Sequence, residues 1–226
     1  ALGDLGLDGK HEAIRRGCEF MFSHQSEHGG FARRRRVPGH GLVWEDTDAP
    51  CTQARIVRFL LQFGYGEDPR ARKGISRLLA TQRGDGMWLC REARRRGCLR
   101  ATHDFLRVAV LDPETALHPG TSRAAAAVCD LLMQPGMGRY HSSDMWRTLQ
   151  YPYVDYSTVS TLDALARLGY AAGQSQVAAA LEYLLGRQRA DGSWPLDETV
   201  RRAAFDPGRP GEPNKWVTLD ALREIR

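Results

Sequence analysis

The 226-residue chain carries 42% hydrophobic and 26% charged residues, an ordinary globular balance that excludes wholesale disorder. Its net charge is +5, and only three of its 32 cationic residues are lysines (Lys10, Lys73 and Lys215). The longest apolar stretch, Ala124 to Cys129, meets Asp130 well short of membrane-spanning length, and no basic-then-apolar leader opens the chain, so a cytoplasmic location is expected.

The first amphipathic run covers residues 10–25, with Ile14, Cys18, Phe20, Met21 and Phe22 at helical spacing, and ends at Gln25. A glycine turn then leads to Phe31 and the cationic run Arg33–Arg36. Such a run is ordinarily a solvated loop; its functional alternative is a landing site for diphosphate, acidic lipid or nucleic acid. Nucleic acid is the weakest of the three, because no nucleic-acid-reading motif accompanies it. No period-2 strand pattern is evident anywhere in the chain. A second helix is expected over 51–64 and a third over 69–82, the latter with Pro69 at its start and Gln82 at its end.

The order then repeats. The turn after Gln82 reaches Trp88, a helix follows over 99–111, and another over 121–134 ends at Gln134. After Tyr140 come a helix over 155–169, one over 174–188 ending at Gln188, the turn to Trp194, and a last helix over 214–225. Each of the four glutamines is followed by glycine and, six residues on, by an aromatic, and the glutamines recur every 52 to 57 residues. Alternating helices in four copies predict an all-α fold in which helical hairpins stack, since one hairpin cannot bury its apolar face alone. The Gln is expected to satisfy free backbone groups at a helix end, with the aromatic packed over it.

The pattern resembles the Gln-Trp repeat of squalene and hopene cyclases and of the wider prenyltransferase/squalene oxidase family. Its first copy is Arg16, Gly17, Phe20, Met21, Gln25, Gly30 and Phe31; its fourth is Tyr183, Leu184, Gln188, Gly192 and Trp194. The second keeps Lys73, Gly74, Gln82, Gly86 and Trp88, with Leu78 in the aromatic slot. The resemblance implies an α/α toroid of about four hairpins, complete or partial, over residues 1–226, with function gathered at the N-termini of the inner helices. A small hydrophobic or isoprenoid ligand in a central cavity is the corresponding partner, and transferase or cyclase the corresponding activity.

Four segments near those N-termini carry candidate chemistry: 44–52, 88–103, 146–158 and 212–218. Asp46 and Asp48 stand where class II terpene cyclases carry an acid motif, but Pro50 and Cys51 replace the paired carboxylates, so Asp48 is a catalytic candidate without its acid partner. Helix capping is the plainer role for it. Cys51, Cys90, Cys98 and His103 form a set of three thiols and an imidazole suited to tetrahedral zinc. The alternative is reduced thiols beside a hydrogen-bonded core histidine. The resemblance adds the zinc sites of protein prenyltransferases and lanthionine cyclases, which activate thiols. Trp44, Tyr153, Tyr156 and Trp216 are candidates for lining an apolar pocket, and Asp155 is a second possible acid. Cys18 and Cys129 lie within the outer helices and are expected to be core packing. Three functions follow: an isoprenoid-handling enzyme, zinc-dependent thiol chemistry, or a non-catalytic scaffold.

Overall fold

A computed structural model describes residues 6–45, 49–89, 97–134, 143–152, 156–171, 173–199 and 205–224. The described chain is predominantly helical, and it divides into two compact units, Ala1–Ala124 and Ala125–Arg226.

In the first unit α1 spans Glu12–Phe22, α2 Pro50–Gln62, α3 Pro69–Ala80, α4 Leu99–Leu111 and α5 Pro113–Leu117; α6, Pro119–Leu131, crosses into the second. Local chemistry fixes the starts. Pro50, Pro69, Pro113 and Pro119 each open a helix, where a missing N–H costs nothing. Asp68 accepts from the Arg70 amide at 2.8 Å and Asp112 from the Thr115 amide at 3.0 Å, capping α3 and α5. Ile14, Cys18 and Phe22 are the buried stripe of α1, four residues apart. The main interior contact of the unit is α2 against α4, with α3 packed on α2.

One element departs from the all-helical expectation. Between α1 and α2 the chain forms an antiparallel hairpin, β1 (Arg33–Val37) with β2 (Gly41–Glu45), which pairs Arg34 with Trp44 and Arg36 with Leu42. A run of four arginines has no apolar alternation to read. The strands are set instead by the turn at Pro38–His40 and by cross-strand pairing.

The second unit contains α7 (Ser143–Arg147), α8 (Thr158–Arg167), α9 (Ser175–Gly186) and α10 (Lys215–Glu224). Ser157 and Ser160 form a capping box at the start of α8, and Asn214 accepts from the Trp216 and Val217 amides, both at 3.1 Å, at the start of α10. Asp197 accepts from the Leu149 amide at 2.8 Å and from Arg187 at 2.6 Å, pinning the loop after Trp194. Among the described residues no helix is long and apolar enough to cross a membrane.

The glutamine turns share one set of bonds. Gln25, Gln82 and Gln188 each donate from Nε2 to the carbonyl four residues on, Gly29, Gly86 and Gly192 respectively, at 3.2, 2.9 and 3.0 Å. Gln25 and Gln82 also reach the second residues of α3 and α6, donating to Arg70 O at 2.9 Å and Gly120 O at 2.8 Å. Trp88 and Trp194 lie fully buried, and each indole donates to a carbonyl ten residues back, Leu78 O at 2.8 Å and Leu184 O at 2.7 Å. In the first turn the left-handed residue is Gly29 (φ +84°), so the motif slot assigned above to Gly30 belongs to its neighbour. The third turn lies outside the described residues beyond Gln134.

Candidate functional site

The chemistry-bearing groups of the first unit converge where α2 and α4 begin. Ala49 and Cys98 are the N-cap residues of these helices, and neither makes a side-chain cap to its helix's first-turn amides. The matching positions of α8 and α10 hold Ser157 and Asn214, which do cap. A cysteine at such a position therefore forgoes a stabilising hydrogen bond that its counterparts make. Cys98 is fixed there by its own amide, which donates to Trp88 O at 2.6 Å, the same bond Asn214 makes to Trp194 O at 2.9 Å.

Cys51 sits one residue into α2, and its sulfur meets that of Cys98. As a thiolate, Cys51 accepts a hydrogen bond from the Cys98 thiol. Burial opposes this charge, but the Arg100 and Arg55 guanidinium groups and the Thr52 amide support it, and the Cys51 thiol is pulled down to about 6. Cys18 and Cys129 behave oppositely: both are buried free thiols, and burial pushes them up. Their packing role is the expected one.

Beside the thiol pair lies an ion triad that the sequence did not single out. Asp104 of α4 accepts from Arg55 Nε at 3.1 Å and Arg58 Nη1 at 2.8 Å, both on α2. The Asp104 and Arg58 side chains are only 2% and 7% exposed, so this is a buried pair, whereas Arg55 is 29% exposed and reaches toward solvent. The triad ties α2 to α4. The signal for it was two arginines three residues apart on α2 with an acid in the middle of α4, but its partner across the helix pair is a tertiary fact.

The proposed metal set is brought together in part. Cys51 and Cys98 meet, while Cys90 lies outside the described residues. His103 is buried on α4, and among the described residues no three His, Cys, Asp or Glu side chains gather as a metal-holding group. Asp48, Asp155 and Tyr153 also lie outside the described residues, as does Asp46.

The aromatic candidates occupy three different settings. Trp44 is on β2, 44% exposed, with its ring 3.7 Å from that of His24 and 5.9 Å from that of Phe20. Tyr156 is buried against Trp146 at 4.7 Å. Trp216 stacks on Tyr151 at 5.0 Å in the first turn of α10, with the Lys215 ammonium 5.2 Å from its ring centroid. Its indole Nε1 is buried without an acceptor among the described residues.

An apolar cavity of about 490 Å³ lies between α1 and α2, lined by Ile14, Phe20 and Met21 on one side and Ile56, Phe59 and Phe63 on the other. Its walls suit a hydrocarbon chain and offer little to a polar one. No protein-family model matches the chain, and no curated protein does.

Proposed function

We propose that the chain is an α/α-toroid-type protein of the terpenoid cyclase and prenyltransferase kind, whose chemistry is zinc-dependent thiol chemistry centred on Cys51 and Cys98. The observation that carries this is the meeting of those two sulfurs at the starts of adjacent helices, at an N-cap where the corresponding residues are ordinary capping side chains. Two soft donors, one already disposed to be anionic near neutral pH, fit a zinc ion. They supply half of a tetrahedral shell, and Cys90 is the thiol in the sequence that would extend it. Zinc bound there would act as a Lewis acid toward a ligand in an open position. The protein's own groups hold the ion's neighbours in place: the Asp104 triad keeps α2 and α4 in register, and the Trp88 carbonyl anchors Cys98. The toroid itself draws its support from the recurring Gln turns, each joined to the next outer helix at Gln25 and Gln82.

The test is metal analysis of protein purified without chelator. One zinc per chain, lost in both Cys51→Ser and Cys98→Ser with the helical spectrum retained, is the expected result. A metal-free unaltered protein would overturn it.

A second function, binding of an isoprenoid or other lipid-like ligand, draws on the apolar cavity between α1 and α2. It needs no metal, so retention of a hydrocarbon probe by the Cys98→Ser variant distinguishes the two.

A further inference from the structure

The β1–β2 hairpin places two arginines and two large apolar side chains on one face. Cross-strand partners share a face, so the pairs Arg34–Trp44 and Arg36–Leu42 point the same way. All four are exposed, with Leu42 at 51% and Trp44 at 44%. The Arg34 guanidinium carbon lies 5.7 Å from the Trp44 ring centroid. The apolar surface continues from Trp44 onto Phe20 of α1, itself 53% exposed, and from there to the mouth of the 490 Å³ cavity that Phe20 shares with Phe59. A domain that leaves Leu, Trp and two Phe in one exposed tract, rimmed by arginine, has a surface suited to an apolar partner.

We propose that this hairpin and the adjoining face of α1 dock the protein on an anionic lipid bilayer, with Trp44, Leu42 and Phe20 at the acyl boundary and Arg34 and Arg36 on lipid phosphates. Charge complementarity selects the partner: the two hairpin arginines and the net charge of +5 meet a negative leaflet. Trp beside Arg is the composition that settles at the boundary between water and hydrocarbon, because each carries an apolar body and a polar end. The exposed aliphatic Leu42 and the apolar cavity behind Phe20 argue for lipid over nucleic acid, because together they offer a hydrocarbon chain a continuous apolar surface and a volume to enter. Nothing in this surface involves Cys51 or Cys98, so it holds whether or not those thiols bind zinc.

The experiment is co-sedimentation of the full chain with vesicles of phosphatidylserine and phosphatidylcholine, against vesicles of phosphatidylcholine alone. The protein is expected to pellet with the anionic vesicles and to be released by salt. Losing each arginine near a charged leaflet weakens binding about fivefold, so Arg34→Gln with Arg36→Gln should weaken it on the order of 20-fold. Leu42→Ser should weaken what adsorption persists at high salt. These side chains are exposed, and unchanged melting temperatures will show that the variants fold. Equal recovery with both kinds of vesicle, or unaltered binding by the double arginine variant, would overturn the assignment. So would tighter binding to a duplex or single-stranded oligonucleotide that Leu42→Ser leaves intact, which would make the face a nucleic-acid surface.

Discussion

The thiol of Cys98 donates to Cys51 across the starts of two packed helices, and neither helix has a side-chain cap of its own. That thiol donor, two arginines and the Thr52 amide all favour charge on one sulfur.

Cys51 alkylation in metal-free protein should therefore follow a thiolate with a midpoint near pH 6, against an ordinary value of 9.0. Cys18 and Cys129, buried and pushed up, should stay unlabelled until the protein unfolds. Cys98→Ala removes the leading cause and should move the Cys51 midpoint upward. The same shift couples to stability. The folded value is depressed, so the contribution is fully present above the unfolded value near 9 and is lost as pH falls through about 6. Cys98→Ala should consequently cost most stability at alkaline pH. Peptide-resolved labelling that finds Cys51 half-reactive only near pH 9 in the unaltered protein would remove the basis for this.

Gln82 holds two carbonyls on two buried residues, Gly86 and Gly120. Gln82→Ala should leave both without their side-chain donor and cost about 1–3 kcal/mol. Gln188 is exposed and makes one such bond, to Gly192, so Gln188→Ala should cost well under half as much. Denaturant unfolding of the two variants compares them directly. Equal losses would mean that the reach to α6 contributes nothing.

The glycines of the same turns separate strain from crowding. Gly86 and Gly192 share a left-handed backbone, φ +80° and +82°. A Cβ on Gly86 would stand 2.3 Å from the Arg123 carbonyl oxygen, while one on Gly192 would meet, among the described residues, only the Gln188 amide, 4.0 Å away. Gly192→Ala should cost about 1–2 kcal/mol, the conformational penalty alone. Gly86→Ala adds a backbone clash and should cost more, with a melting temperature several degrees lower than that of the Gly192 variant.

The helices were legible because local signals govern them. Runs expected over 51–64, 69–82, 99–111 and 174–188 are observed as α2, α3, α4 and α9 with ends displaced by few residues, since Pro50, Pro69 and the apolar spacing act within one turn. The short α5 and α7 and the β1–β2 hairpin were not legible. Arg33–Arg36 has no alternation, and its strand is defined by its partner, not by its own composition. The site divides the same way. Cys51 and Cys98 stood out as residue types beside helix starts, and their meeting is what the fold adds. Arg58 and Asp104 did not stand out in the sequence; their burial depends on α2 facing α4, which no stretch of sequence encodes by itself. Trp44, read as a pocket residue from its neighbours in sequence, stands on the exposed hairpin because Gly41–Glu45 is a strand.

The cavity between α1 and α2 can be probed through Gly17, which lines it and has open space where a side chain would begin. Gly17→Ala should stabilise α1 by up to about 1 kcal/mol, because alanine is the better helix former. Gly17→Leu should also fold, but its side chain projects into the cavity and should lower the affinity of a fluorescent fatty-acid probe at least tenfold. Unchanged probe binding by the leucine variant would place the lipid-like ligand elsewhere.

The buried pair of Arg58 and Asp104 allows the sharpest test of what holds the two N-termini in place. Arg58→Met leaves a carboxylate that is 2% exposed with Arg55 as its ion-pair partner among the described residues, and should cost about 3–5 kcal/mol. Arg55→Ala leaves the buried Arg58 pair intact and should cost less. Replacing both members, Arg58→Met with Asp104→Leu, exchanges two desolvated charges for apolar contact and should recover most of the loss. Stability alone cannot distinguish a brace from a bystander, so Cys51 alkylation is read on the same variants. If the triad sets the distance between α2 and α4, the Cys51 midpoint rises in Arg58→Met even at temperatures where the protein is fully folded, and returns in the double variant. A midpoint that stays near pH 6 throughout would mean that Cys51 and Cys98 are held together by the Trp88 turn and the helix starts, with the triad contributing stability only.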